Sequence, residues 1–165
     1  IIASGPEAAL PHHKASERKI NDGEPIVIDM GAKIEGYASD FSRTLCIGEP
    51  DATFQKVYDT VLAAQLTAIA LIKEGVSGGE ADSFARIVIS EAGYGDKFGH
   101  SLGHGVGLAE HELPRLGPNS TGLLTSGMVF SIEPGIYLPG WGGVRIEDLA
   151  FIENGHLRLL SKGRK

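Results

Sequence analysis

The 165-residue sequence predicts an α+β fold in which antiparallel strands are covered by helices. Two segments, 26–45 and 130–151, have the β-branched and aromatic composition of hairpins. Between them, residues 51–73 and 80–92 carry apolar side chains at helical spacing. Helices with apolar stripes need a sheet to cover, and the length suits one core, so we predict a single domain over residues 1–165.

The first hairpin carries an aspartate on each arm, Asp29 and Asp40, around a Glu35-Gly36 turn signal. Because side chains alternate between the faces of a strand, any two-residue loop places both aspartates on one face. If Ile34-Glu35 forms the loop, the two carboxylates face each other directly, with Cβ atoms roughly 4.5–5.5 Å apart. Like charges so placed destabilise a sheet unless a cation lies between them, so the hairpin predicts a metal site.

The second hairpin repeats this arrangement with glutamates. A three-residue loop centred on Gly140 would pair Glu133 with Glu147. Pro134 cannot donate to a ladder, so we expect this arm to lie at an edge or to be bulged there. Each acid taken alone is explained as a turn or rim residue, whereas two opposed pairs in one short chain favour a metal site.

Both helices have recognisable ends. Asp51 is a suitable N-cap for the first helix, which Gly75 closes, and Gly93 closes the second. We expect both helices to pack on the sheet rather than to carry chemistry. The residues predicted to face inward are Phe54, Val57, Tyr58, Val61, Leu62, Leu66, Ile69 and Ile72 in the first helix, and Phe84, Ile87, Val88 and Ala92 in the second.

Three histidines, His100, His104 and His111, lie within a glycine-rich stretch of 12 residues. One histidine and four carboxylates form a borderline-hard ligand set that suits Mn, Co, Zn or Fe(II). Such a set offers enough donor atoms to coordinate two divalent ions roughly 3.5–4 Å apart. Two further histidines, His12 and His13, share a loop, and for His13 we favour simple surface polarity.

The histidine stretch also contains a rival motif, because Gly99-His-Ser101-Leu-Gly103 matches the nucleophile-elbow pattern. Asp148 and His156 follow it in the order that a hydrolase of that fold would use. An elbow needs a strand before it and a helix after it, whereas glycine-rich sequence lies on both sides here. A serine hydrolase that uses Ser101 is therefore the less favoured alternative.

Charge and composition narrow the range of partners. Fifteen basic and 21 acidic residues give a net charge of −6, which argues against a nucleic-acid partner. No apolar run approaches the roughly 18 residues of a transmembrane helix, and no signal peptide is visible. The single cysteine, Cys46, excludes an internal disulfide, so we expect a cytoplasmic protein. From the net charge and the short apolar runs we expect no nucleic-acid partner and no membrane partner.

Five short motifs together resemble the signature of the pita-bread metallopeptidases, which include methionine aminopeptidase, aminopeptidase P and prolidase. They are Asp29-x-Gly, Ser39-Asp40-Phe-Ser-Arg-Thr, Gly-His104-Gly-Val-Gly, Ile-Glu133-Pro-Gly-Ile-Tyr and Arg145-Ile-Glu147-Asp. The resemblance covers nearly the whole chain and implies the pita-bread (creatinase/aminopeptidase-like) fold, with a curved antiparallel sheet. It further implies that the metal ligands are Asp29, Asp40, His104, Glu133 and Glu147, with Asp40 and Glu147 bridging two ions.

The same resemblance implies roles for residues around the metals. It places His12, His100 and His111 at the family's substrate and transition-state histidines, with His12 and His111 binding the substrate. Arg145 resembles an arginine that orients a ligand carboxylate from behind, and the alternative is an ordinary surface ion pair. Glu133, which would touch both metal and solvent, is our candidate for the proton shuttle to the leaving nitrogen.

The implied reaction is hydrolysis of a peptide bond near the substrate N-terminus by a hydroxide that bridges two divalent ions. Mn or Co is expected, with Zn or Fe as alternatives. Pro11-His12-His13-Lys and His111-Glu-Leu-Pro-Arg-Leu are similar to the Xaa-Pro branch, prolidase and aminopeptidase P, so the expected substrate is a small Xaa-Pro peptide. Methionine aminopeptidase is the alternative, and a non-catalytic peptide-binding relative is a further one.

The resemblance also carries an expectation about the front of the chain. The family's catalytic domain has two similar halves, each with a hairpin and a pair of helices. Here both predicted helices serve the second half, and no helices precede Ile1 to serve the first. We therefore expect an uncovered apolar face around Ile26, Ile28 and Leu45. Such a face implies either a homodimer or a longer polypeptide of which this catalytic domain is an N-terminally incomplete part.

Overall fold

The computed structural model describes all residues of the chain, 1–165. The helices are α1, Ala52–Leu71, and α2, Gly78–Glu91, and short 3-10 turns occupy Gly5–Ala9 and Gly95–Lys97. The strands, in chain order, are β1 Ile2–Ser4, β2 Pro25–Met30, β3 Lys33–Ile34, β4 Tyr37–Ala38, β5 Phe41–Cys46, β6 Gly103–Gly105, β7 Glu112–Leu116, β8 Val129–Ile132, β9 Gly135–Leu138, β10 Gly142–Arg145, β11 Asp148–Glu153 and β12 His156–Leu159.

Every strand pairing is antiparallel. Strands β1, β2 and β5 form one sheet, and β3 pairs with β4 at the tip of the same hairpin. A five-stranded sheet has the order β12-β11-β8-β6-β7, and β9 pairs with β10 beside it. Buried apolar side chains of α1, α2 and strands β7 to β11 form the main core. The predicted α+β class with helices packed on antiparallel strands is confirmed.

The first hairpin turns at Glu35-Gly36, and both residues have positive φ, 51° and 90°. A two-residue loop with positive φ at both positions is the turn that suits the strand twist. The pairing that follows places Asp29 opposite Ser42, not opposite Asp40. The prediction of direct opposition is therefore wrong, because the loop lies one residue later than Ile34-Glu35. Moving the loop by one residue moves the partner of Asp29 by two residues, from Asp40 to Ser42. Because side chains alternate between faces, residues two apart share a face, so both aspartates stay on one face.

The second hairpin has the predicted register. Gly142 pairs with Leu138, which leaves a three-residue loop centred on Gly140. Asp148 pairs with Ile132 in the same register, so Glu133 and Glu147 face each other in the gap between the two ladders. The break at Pro134 agrees with the expectation for a residue without an N–H.

The helix ends agree closely with the sequence prediction. The Asp51 carboxylate accepts the Phe54 N–H at 2.6 Å and caps α1. Helix α2 begins two residues before the predicted Glu80, because Ser77 and Glu80 form a reciprocal capping box. Neither helix has the combination of length and apolarity that crossing a membrane requires.

The buried faces of the helices differ in part from the predicted stripes. In α1, Leu66 is 49% exposed, while its neighbour Gln65 is fully buried. In α2, Ile87 is 53% exposed and Ala92 is exposed, and the buried hydrophobic positions are Ala81, Ala85 and Ile89. Small residues on the facing sides allow the two helices to lie close together, so bulk alone is a poor guide to which side faces inward.

The expected apolar face of the first hairpin is only partly uncovered. Ile26 is 2% exposed, so the prediction is wrong for this residue, whereas Ile28 is half-buried and Leu45 is 40% exposed. The end of the chain lies against the hairpin, because the Arg43 guanidinium donates to the carbonyl oxygens of residues 163–164.

Candidate metal centre

All five predicted ligands line one cavity of about 850 Å³. Each lies in a different strand or directly next to one, so the rigid strands bring residues that are distant in sequence to one place. Asp29 lies on β2, Asp40 precedes β5, His104 lies on β6, Glu133 follows β8 and Glu147 precedes β11.

The centre of the cavity is a triad of possible ligands. Donor atoms of Asp40, His104 and Glu147 all lie within 4.8 Å of one another. His104 Nε2 is 3.2 Å from Glu133 Oε1 and 3.8 Å from Asp40 Oδ2. Carboxylate oxygens and an imidazole nitrogen form the donor set that Mn, Co, Zn and Fe(II) accept, so these residues fit divalent cations.

The electrostatics of the cluster also indicate cations. Burial, followed by the charges of Glu133 and Asp40, raises the pKa of Glu147 well above its ordinary value. Burial and the charge of Asp29 raise the pKa of Asp40 as well. Burial raises the pKa of Glu133 too, but the His104 hydrogen bond and nearby positive charge outweigh it and lower that pKa overall. Cations between these carboxylates would remove the repulsion.

Hydroxyl and guanidinium groups hold the carboxylates from behind. Ser42 Oγ donates to Glu147 Oε2 at 2.6 Å, and Ser131 Oγ donates to Glu133 Oε1 at 3.0 Å. Arg145 Nη2 donates to Asp29 Oδ2 at 2.7 Å. Arg145 is only 3% exposed, so the surface-ion-pair alternative for this residue is wrong. Such outer contacts orient ligands and tune their basicity.

His100 lies at the cavity wall with both ring nitrogens engaged. Nδ1 is 2.8 Å from the Ser101 carbonyl oxygen, which only accepts, so Nδ1 carries the proton. Nε2 then accepts from the Tyr137 hydroxyl at 2.8 Å, and that hydroxyl accepts from Arg145 Nη1 at 3.1 Å. Burial lowers the pKa of His100 and raises that of Tyr137 to about 12, so both stay neutral. Direct donation from His100 to a substrate is unavailable in this arrangement.

The other predicted histidines are more accessible. His12 and His111 line the cavity and are exposed, and the His111 ring lies 4.0 Å from the His104 ring between centroids. His13 does not line the cavity. It is half-buried, with Nε2 3.1 Å from Glu7 Oε2, a local polar contact away from the cavity that agrees with a polar role outside the site.

Sequence reasoning missed several polar residues of this site, among them Ser131, Tyr137 and Arg115. Tyr137 ends the Glu-Pro-Gly-Ile-Tyr motif, and its position in that motif was the available signal. Arg115 lines the cavity opposite His104 in the β6–β7 pairing, and its Nε donates to Ser101 Oγ at 3.3 Å. A guanidinium at this place offers a bidentate site for a carboxylate.

The serine-hydrolase alternative is wrong on geometry. Ser101 lies in a loop that leads into β6, without the strand and helix of an elbow. Asp148 is 1% exposed and contacts Arg43 at 2.7 Å and Lys165 at 2.8 Å. His156 lies on the edge strand β12, and neither it nor Asp148 lines the cavity that holds Ser101.

Known proteins share both the sequence and the fold. The chain is 50% identical to the Xaa-Pro dipeptidase of Pyrococcus furiosus over 166 aligned positions, covering 100% of this chain and 48% of that protein. The prolidase structure from P. furiosus superposes with a TM-score of 0.98 at 48% identity, covering 100% of this chain and 49% of that one. The X-Pro aminopeptidase structure from Thermotoga maritima gives 0.96 at 44% identity, with 99% and 47% covered.

The chain thus spans about half the length of the relatives it matches. The sequence model of metallopeptidase family M24 matches residues 1–154, which is nearly the whole chain. The chain therefore belongs to metallopeptidase family M24 and has its pita-bread fold.

Proposed function

We propose that residues 1–165 are the catalytic domain of a metal-dependent peptidase that hydrolyses Xaa-Pro bonds near the substrate N-terminus. The observation that carries the proposal is the cavity in which donor atoms of Asp40, His104 and Glu147 lie within 4.8 Å of one another. The similarity to proteins named Xaa-Pro dipeptidase and prolidase supports the substrate class. A single half-buried cysteine, Cys46, is compatible with the cytoplasm.

Asp29, Asp40, His104, Glu133 and Glu147 would hold two divalent cations, with Asp40 and Glu147 shared between them. Bound there, Mn²⁺ or Co²⁺, with Zn²⁺ or Fe²⁺ as alternatives, would supply Lewis acidity and a nucleophilic water at neutral pH. The hydroxyl groups of Ser42 and Ser131 keep two of these carboxylates in place.

Glu133 is the residue best placed to move a proton. Its Oε1 contacts Ser131 Oγ and His104 Nε2, and its lowered pKa keeps it ionised near neutral pH. An ionised carboxylate accepts a proton from the attacking water and delivers it to the leaving nitrogen. Glu133 therefore acts as the proton shuttle in this proposal.

His111 is the better of the two candidates to donate to the developing oxyanion. It is exposed to the cavity, whereas both nitrogens of His100 contact protein groups. A preorganised donor in a site that excludes water stabilises developing negative charge. His100 instead fixes Tyr137, and through it Arg145, and His12 is assigned to the amide side of the substrate.

The first test is metal removal and restoration in the full protein. We expect hydrolysis of an Xaa-Pro peptide to vanish with excess chelator and to return with Mn²⁺ or Co²⁺, because the carboxylate cluster binds water-activating cations. A serine-directed phosphonate should have no effect. His104→Ala should abolish activity, and Ser101→Ala should not match that loss. Full activity in excess chelator, or equal losses in the two variants, would sink the metal-dependent proposal.

The second test separates the branches of the family. A bond to proline is a tertiary amide without an N–H, so a site for it recognises the ring rather than an amide donor. We expect Xaa-Pro peptides to be cleaved faster than matched Xaa-Ala peptides, with His12→Ala and His111→Ala reducing the preference. Faster turnover of methionyl peptides without proline would favour the methionine-aminopeptidase alternative, and metal-free peptide binding would favour a non-catalytic relative.

A further inference from the structure

Gln65 is a polar residue in an apolar surrounding. It lies on the buried side of α1 with Val61, Ala64 and Ala68, and none of its surface is exposed. The other buried residues of that helix are apolar. A buried amide costs free energy unless it is hydrogen-bonded, so the contacts of Gln65 call for an explanation.

The amide of Gln65 reaches two opposing strands. Nε2 donates to the carbonyl oxygens of Ile132 and Ile146, each at 3.1 Å, and lies 3.3 Å from Asp148 Oδ2. All three partners are acceptors, so the NH₂ group must face them. Oε1 points away and has no partner. The Gln65 NH₂ group therefore donates to both strands, although the amide oxygen has no hydrogen-bond partner.

The two carbonyls belong to the residues directly before Glu133 and Glu147. These glutamates face each other where the β8–β11 ladder stops and the β9–β10 ladder has not begun. In this gap the Glu133 N–H donates to Leu102 O and the Glu147 N–H donates to Ser42 O. Only one long backbone bond, from the Ile146 N–H to Pro134 O at 3.4 Å, crosses the gap itself, so neighbouring elements supply most of the hydrogen bonds that hold the backbone here.

We propose that Gln65 is a positioning residue for the metal centre. Its amide bridges the gap between the two strands and thereby sets the spacing of the Glu133 and Glu147 carboxylates. One amide that binds both peptide groups fixes the distance between them from behind, while the carboxylates face the cavity. Gln65 touches neither ligand side chain nor substrate. This inference rests on the proposed function, because it needs Glu133 and Glu147 to be metal ligands.

The test compares two variants on the same helix face. Gln65→Met keeps the volume but removes both donors. Val61→Ala, one turn earlier, removes buried core packing at a residue that does not line the cavity. Mn²⁺ is titrated calorimetrically into the metal-stripped full protein, and thermal unfolding is followed without metal. We expect Gln65→Met to lose about tenfold or more in Mn²⁺ affinity, and Val61→Ala to lose thermal stability with unchanged affinity.

Wild-type affinity in a folded Gln65→Met protein, or an equal affinity loss in Val61→Ala, would overturn the inference and leave the proposed function intact. If Gln65→Met does not fold, Gln65→Asn takes its place, since it keeps an amide that is one methylene too short to span both carbonyls, and the same outcomes apply. Absence of Mn²⁺ binding in the wild-type protein would overturn the proposed function, and this inference with it.

Discussion

Asp40 lies in a cluster of carboxylates that are hard to ionise together. Burial and the charge of Asp29 raise its pKa, and Asp40 in turn helps to raise the pKa of buried Glu147. In the proposed site, Asp40 and Glu147 would be shared by the two cations. Loss of either one therefore removes a contact from each ion and leaves the remaining acids repelling one another.

We predict that Asp40→Ala loses both cations together rather than one. The variant keeps only one shared carboxylate, Glu147, and each ion loses a donor, so neither ion keeps a full set. Calorimetric titration with Mn²⁺ should show no tight binding in this variant. Asp22→Ala, at an exposed position outside the cavity, is the matched control and should bind like the wild type. Two ions bound by Asp40→Ala at wild-type affinity would contradict the shared-ligand arrangement.

Among individual side chains, the charged residues of the site were easier to predict than the buried hydrogen bonds around them. Opposed acids and clustered histidines stand out in a sequence because isolated copies would be costly or unexplained. Gln65 carried no such signal, since a glutamine in a helix is ordinarily a solvent-facing residue. The contact of His100 Nε2 was also hidden, because it depends on the Tyr137 hydroxyl, which folding brings close from strand β9.

In the two hairpins, the residues of the loop decided whether the strand register could be predicted. Gly140, with a φ of 84°, marks the centre of its loop, and the Glu133–Glu147 register follows from it. In the first hairpin, two adjacent two-residue loops were compatible with the sequence, and Glu35 itself adopts a positive φ that non-glycine residues rarely take. A shift of one residue in the loop moved the partner of Asp29 to Ser42.

The pairing of β6 with β7 leads to a prediction about peptide length. Arg115 faces His104 across this pair and lines the cavity. If the proposed Xaa-Pro dipeptide binds at the ligand cluster, its free carboxylate lies on the residue directly after the scissile bond, and Arg115 is a cation on the wall of that cavity. We predict that Arg115→Met raises KM for Xaa-Pro dipeptides by about 10- to 100-fold, because a charge-assisted hydrogen bond is lost.

Steady-state kinetics on matched substrates would check this role. The same variant should leave KM for an Xaa-Pro dipeptide amide nearly unchanged, since the amide carries no charge for the guanidinium. Arg115→Lys should recover part of the dipeptide affinity, because it keeps the charge but not the bidentate geometry. Equal losses on acid and amide would show that Arg115 supports the strand pair rather than the carboxylate.

Across the molecule, exposed apolar side chains gather on the first sheet and at the residue that follows it. Ile2 is 56% exposed, Met30 54%, Leu45 40% and Ile47 50%. Burying such a side chain is worth roughly 1.5–3 kcal/mol, which matters against the total stability of a domain. The sequence-based expectation of a second copy or of further chain over this face therefore stays a prediction.

We predict that the 165-residue chain by itself self-associates through this face. Sedimentation equilibrium should show a concentration-dependent increase in mass, and Leu45→Gln with Ile47→Gln should weaken it. Ile87→Gln, at a residue 53% exposed on α2, is the control and should leave association unchanged. A monomeric, cooperatively folded wild-type chain at all concentrations would contradict the prediction.

The hydrogen bond between Ser42 and Glu147 joins residues that are 105 positions apart in the chain. At synthesis rates of about 5–20 residues per second, roughly 5–20 s separate the appearance of the two hairpins. During that interval the aspartate hairpin exists without the glutamates that complete its ligand set. In the proposed site, a cation present at the ribosome would meet only Asp29 and Asp40, so loading of the metal centre would wait until the second hairpin had been synthesised and had docked.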